Sequence, residues 1–328
     1  MTNKSPQPPD LGAPATAVEG AASTNDVSFD VPKWFHRQLK RIPKLGRMFR
    51  HPVLQARVTV LLLRRDLVPV VRARRRILVQ YLGNYLAMGL PCAARAELLC
   101  SNYRFLLDRV RRGFFRTIVD SGIPLWQCDA EGQRCEIRMS FSGGAQREGD
   151  LSLGFHFDTA RIYTLSFAIG PGSLAAIPAE HALYIGRMQG KGLGLNAIRT
   201  ATRTCGDIAP AALLLAAAEG VAKALQIDHI VGISAESQTC GSQGDGPRGL
   251  LPAYDDFWLA KGGRKVNAQM YHLPVPLPEK PLDLVKRNHR ARTLRKRAFK
   301  AELRQHVVEA FRERALRPGL IEEQALPA

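Results

Sequence analysis

The chain has 328 residues, 45% of them hydrophobic, which is enough to bury a sizeable core and excludes wholesale disorder. Its 47 Lys+Arg against 29 Asp+Glu give a net charge of +18, which predicts an anionic partner such as lipid headgroups, nucleic acid or a phosphorylated ligand. No stretch is apolar for long enough to span a membrane, residues 1–30 lack a basic-then-apolar export signal, and the cysteines are too few for a disulfide scaffold.

Residues 1–30 (PQPPD, APATA, STND) show no periodicity and predict a disordered tail. A basic helical region follows over 31–119, with twenty bases and three acids. Val58, Leu61, Leu62, Val68, Val71, Ile77 and Leu78 recur there at helical spacing, and a second helix begins after Leu90-Pro91. Within it, Arg72, Arg74, Arg75 and Arg76 form either a solvated helix face or an anion-binding one, and the sequence leaves both open.

From 120 to 281 the charge is nearly balanced and the period changes. CEIRMSF (135–141), LSLGFHF (151–157) and IYTLSFAI (162–169) alternate as an antiparallel meander, with His156 expected to be a packed or solvent-facing residue. A strand over 182–188, a helix over 196–203, a buried apolar helix over 209–225 and a strand over 230–234 complete a mixed α/β core. Residues 239–252 read as a Gly/Pro-rich loop before the acidic-aromatic run 254–258.

Two features carry candidate chemistry. Gln189, Gly190, Lys191, Gly192 and Gly194 fit the Q/R-x-x-G-x-G/A phosphate loop of GNAT acyltransferases, between a strand and a helix where backbone N–H groups cradle a pyrophosphate. About one such string is expected by chance in a chain this long, so its placement is what counts, and a tight glycine turn is the competing reading. The second feature is the basic C-terminal helix of 282–328, in which Lys286, Arg287, Arg290, Arg295, Lys296 and Arg297 form either an anion-binding segment or a solvated terminal helix. No zinc-protease, P-loop or hydrolase-triad pattern is present, no C-x2-4-C pair marks a structural zinc site, and no metal is expected.

Several separated stretches resemble the VirK/YbjX family of bacterial proteins: LLCSNYRFLL (98–107), EGDLSLGFHF (148–157), ARIYTLSFAIG (160–170), LYIGRMQG (183–190), AIRTATR (197–203), YDDFWLAKGG (254–263) and YHLPVPLPEKPLDLVKRNHR (271–290). Asn102 stands where the family commonly has His. The resemblance implies a cytoplasmic factor linked to envelope stress, antimicrobial-peptide tolerance or virulence, and it implies no reaction. Residues and resemblance together predict an α+β (or α/β) fold with a GNAT-like sheet and two functions to be weighed. One is acyl-CoA-dependent transfer; the other is non-enzymatic binding of anionic lipid or nucleic acid, peripheral at the inner membrane.

Overall fold

The computed structural model describes residue 46 and residues 49–130, 132–142, 147–190, 195–239 and 251–319. Lys44–Ala328 forms one unit, whereas Met1–Pro43, including the predicted tail, lies outside the described residues. Helices α1 (Pro52–Leu62), α2 (Val68–Ala73), α3 (Cys92–Arg109) and α4 (Phe114–Asp120) come first. Strands β1 (Ile123–Ala130), β2 (Gln133–Phe141), β3 (Leu151–Phe157), β4 (Ala160–Gly170) and β5 (Ala182–Gly190) follow. The chain then crosses over through α5 (Leu195–Thr204) and α6 (Pro210–Ala224) to β6 (His229–Ile233). Helix α7 (Leu251–Ala260), the hairpin β7 (Arg264–Asn267) and β8 (Met270–Pro274), and the long helix α8 (Arg290–Ala315) complete the unit.

The fold is α+β, built on a mixed eight-stranded sheet of order β1-β2-β3-β4-β5-β6-β8-β7. Every pairing is antiparallel except β5 with β6, the pair joined by the long helical crossover that parallel strands require. Consecutive residues of β3 and of β4 from Thr164 to Gly170 are buried, so the centre of the sheet is covered on both faces. Helices α3 and α6 both pack on β4, and α8 packs on α6 and β1. One continuous core runs through helices and sheet, joining Leu98 and Phe105 of α3 to Leu165 and Phe167 of β4.

Sequence periodicity locates β2 to β6 and the helices α3, α5 and α6 within a few residues. It misses β1, whose Pro124 interrupts the alternation, and the short strand β7. Strand β8 is inserted between β6 and β7. There the ring nitrogens of His229 and His272 lie 3.0 Å apart. Burial, the neighbouring His229 and Arg264 together hold the His272 pKa below the usual histidine value. A depressed histidine keeps its full contribution to stability above its unfolded pKa and loses it as pH falls through the folded one. Urea unfolding midpoints are therefore expected to drop between pH 7.5 and pH 5, and His272→Gln should flatten that slope. An unchanged slope in the variant would remove the histidine pair as its source.

Candidate functional site at the parting of strands five and six

Ser166 pairs with Arg187 and Phe167 with Ile185, so Gly186 is the extra residue of a β-bulge in β5. Strand β6 ends at Ile233, one residue beyond its last pairing with β5. Pairing of β5 with β6 stops at Ile185↔Gly232, whereas β5 stays on β4 as far as Tyr163↔Gly190. Strand β5 is thus antiparallel to one neighbour and parallel to the other.

Polar side chains gather at this end of the sheet from four separate parts of the chain. Glu148, Gly149 and Asp150 lie just ahead of β3 and are pressed against the sheet. Gly149 has φ +144°, and a Cβ there would lie 2.5 Å from the Phe167 carbonyl oxygen. A Cβ on Gly186 would in turn strike the Glu148 carbonyl. Only glycine at both positions allows this approach, which fixes the two flanking carboxylates.

Asp150 is wholly buried. It pairs with Arg74 Nη2 and accepts hydrogen bonds from Tyr85 Oη at 2.8 Å and Gln80 Nε2 at 3.1 Å. Arg74 Nη1 donates to the Ser142 carbonyl at 3.2 Å, and its guanidinium stands 4.7 Å from the centre of the Phe141 ring. Burial first, then the Asp150 carboxylate, hold the hydroxyls of Tyr85 and Tyr103 well above the usual tyrosine pKa, so both stay protonated beside the anion.

Glu148 is also buried but poorly satisfied. Its Oε2 has no hydrogen-bond partner and lies 3.9 Å from Arg187 Nη1. Arg187 in turn donates to the Gln189 side-chain oxygen. One residue further along β5, the Met188 amide donates to the Tyr254 hydroxyl of α7 instead of to a strand. Helix α7 is anchored beneath this contact: Trp258 Nε1 donates to the Ile233 carbonyl at 3.1 Å, and Asp255 Oδ1 accepts from the Ala235 amide at 2.8 Å. Glu148, Arg187 and Tyr254 thus meet β5 within the three residues Gly186 to Met188.

Of the residues singled out in the sequence, Gln189 is exposed and Gly190 half-buried at the very end of β5, beside the parting. Lys191, Gly192 and Gly194 lie outside the described residues. Arg72, Arg75 and Arg76 are exposed, but Arg74 is not a surface anion binder. Helix α2 ends at Ala73, and Arg74, at φ −147° and ψ 81°, leaves the helical path and turns its side chain inward to Asp150.

The basic run at the C-terminus divides in a similar way. Lys286, Arg287 and Arg295 are exposed. Arg290 donates to the Val285 and Asp283 carbonyls, Lys296 to the Asp207 carbonyl at 2.5 Å, and Arg297 pairs with Glu279 at 2.9 Å. Two of these six bases, Lys296 and Arg297, therefore engage residues outside the segment, and Arg290 ties back onto it. Glu148, Asp150, Arg187 and Tyr254 were not picked out by sequence motifs. Two acids around a glycine at the mouth of a strand, downstream of a region with twenty bases and three acids, are the signal that could have found the first two.

Among the described residues, no helix is long and apolar enough to cross a membrane. A curated relative, the uncharacterized protein YbjX of Escherichia coli (strain K12), is 23% identical over 235 residues, covering 70% of each chain. No solved structure matches. The family profile described as a protein of unknown function, DUF535, matches residues 35–309. With most of its length matched, the chain belongs to the DUF535 family, which is the VirK/YbjX family that its motifs resemble.

Proposed function

We propose that this protein is a GNAT-like acyltransferase that takes its acyl group from an acyl-CoA, and that its cellular role lies in tolerance of envelope stress, as the family resemblance implies. The observation that carries the reading is that β5 runs on past its last pairing with β6, Ile185↔Gly232, to the Gln189-Gly190 strand end ahead of helix α5. The strand order supports it too, with one parallel pair spanned by a helical crossover in an otherwise antiparallel sheet. The described residues fit such a cofactor. Gln189 is an exposed polar group at the strand end, and a helix N-terminus such as that of α5 favours phosphate through its first-turn N–H groups.

Bound there, acyl-CoA would supply a thioester, an acyl group already activated for attack by an amine. The chain's own part is to move protons. Glu148, an acceptor without a hydrogen-bond partner, takes the proton of the attacking amine, and Arg187 at 3.9 Å steadies its charge. The Tyr254 hydroxyl, held at the gap by the Met188 amide, is the proton donor for the departing thiolate.

Calorimetric titration with acetyl-, malonyl- and long-chain acyl-CoA tests the reading. At a ligand concentration of about 100 times the dissociation constant, the fold should gain about 2.7 kcal/mol. Absence of binding heat with all three at millimolar ligand would end it.

A further inference from the structure

Helix α1 carries apolar residues on two sides, and the core covers only one of them. Val58, Leu61 and Leu62 are buried, whereas Val53 is 78%, Val60 73% and Leu63, which caps the helix, 60% exposed. With Ala56, also exposed, these residues recur at the three- and four-residue spacing that makes one helix face. Phe49, just ahead of the helix, is 82% exposed. Four of the seven large apolar side chains exposed among the described residues therefore belong to this one short segment. A helix with a second, exposed apolar line asks for a second cover.

The surroundings of this line are cationic. Arg50, Arg64 and Arg65 are exposed along it, and Arg57 pairs with Glu97. Two residues beyond Leu63, Arg65 enters the wall of a surface pocket of about 520 Å³ that also takes in Arg111, Arg112, Arg317 and a single acid, Asp66. Val110 and Phe115 contribute apolar lining. Arg111 Nε donates to the Leu316 carbonyl at 3.3 Å and Arg317 Nε to the Val110 carbonyl at 3.0 Å, which holds both guanidinium groups in place. An arginine-rich pocket with apolar lining suits a phosphate that carries a hydrocarbon chain.

We propose that the exposed face of α1 and the arginine-lined pocket that follows it form a docking surface for an anionic lipid bilayer. The apolar line enters the boundary between headgroups and acyl chains, and the pocket takes a headgroup phosphate. Charge decides between this cover and a second copy of the chain. Pairing two such faces would bring Arg50 and Arg64 against like charges with no acid on the line to answer them, whereas an anionic leaflet supplies counter-charge along its whole length.

The test is sedimentation of the full chain with vesicles of phosphatidylglycerol and phosphatidylcholine, and of phosphatidylcholine alone, with the oligomeric state read in parallel by analytical ultracentrifugation. The wild type is expected to bind the anionic vesicles and leave the neutral ones. Val60→Gln with Leu63→Gln, both exposed and adding no charge, should weaken binding by more than about tenfold with the unfolding midpoint unchanged. Arg65→Gln with Arg112→Gln should weaken it as well, while Arg295→Gln, on α8, should leave it intact. The proposal is overturned if the wild type ignores anionic vesicles, or if the Val60 and Leu63 variant binds like the wild type. It is equally overturned if the wild type is a dimer that this variant turns into monomers, because the cover is then a second copy.

Discussion

Asp150→Asn is expected to destabilise the fold by about 3–5 kcal/mol, measured by urea unfolding at neutral pH. The substitution keeps the size of the side chain and leaves Tyr85 and Gln80 something to bond, so the loss reports the charge. Without it, the guanidinium of Arg74, buried beside Phe141, Tyr85 and Tyr103, loses the carboxylate charge that it pairs with. The contrast is Arg292→Ala, which removes an ion pair with Asp207 whose side chains are both about half exposed. Such pairs contribute roughly 0–1 kcal/mol, because water screens the charges and the side chains lose freedom in meeting. Equal losses in the two variants would mean that Asp150 is not the counter-charge of the helical layer.

A second large effect is expected in the chemistry. Tyr254→Phe keeps the ring that lies 6.0 Å from Trp258 and removes only the hydroxyl that the Met188 amide meets. With acetyl-CoA and a panel of amines as probes, thiol release should fall about 100-fold or more in kcat while acetyl-CoA affinity changes little. Glu148→Gln should give a loss of similar size, because the acceptor for the amine proton is gone. A role confined to packing predicts the opposite division: both variants unfolding earlier, with the turnover of the remaining folded protein unchanged.

What the sequence made legible follows from the range of the forces involved. Alternation in CEIRMSF and LSLGFHF is a local property, and β2 and β3 lie where it predicts. The apolar run PAALLLAAAEGVAKA had to be a buried helix, and α6 is one. The strand end at Gln189-Gly190 was readable because glycine and a polar residue punctuate β5. Arg74, in contrast, is indistinguishable in sequence from Arg72, Arg75 and Arg76. Its burial depends on the helix ending one residue earlier and on Asp150, 76 positions away. Glu148 and Tyr254 escaped for the same reason. Nothing near either residue in sequence shows that a bulge at Gly186 brings both to one strand end. In the basic run at the C-terminus, the sequence likewise does not show that Lys296 and Arg297 reach the Asp207 carbonyl and the Glu279 carboxylate while Lys286, Arg287 and Arg295 are exposed.

The most direct test of an acyl-CoA site at the parting of β5 and β6 is amide hydrogen exchange of the full chain with and without saturating acetyl-CoA. Slowed exchange confined to the end of β5, from Arg187 to Gly190, and to the first turn of α5 is the predicted result, with Met188 among the protected amides. Protection that appears only around Arg65 and Arg112 or along Lys286–Lys300, with β5 and α5 unchanged, would contradict it.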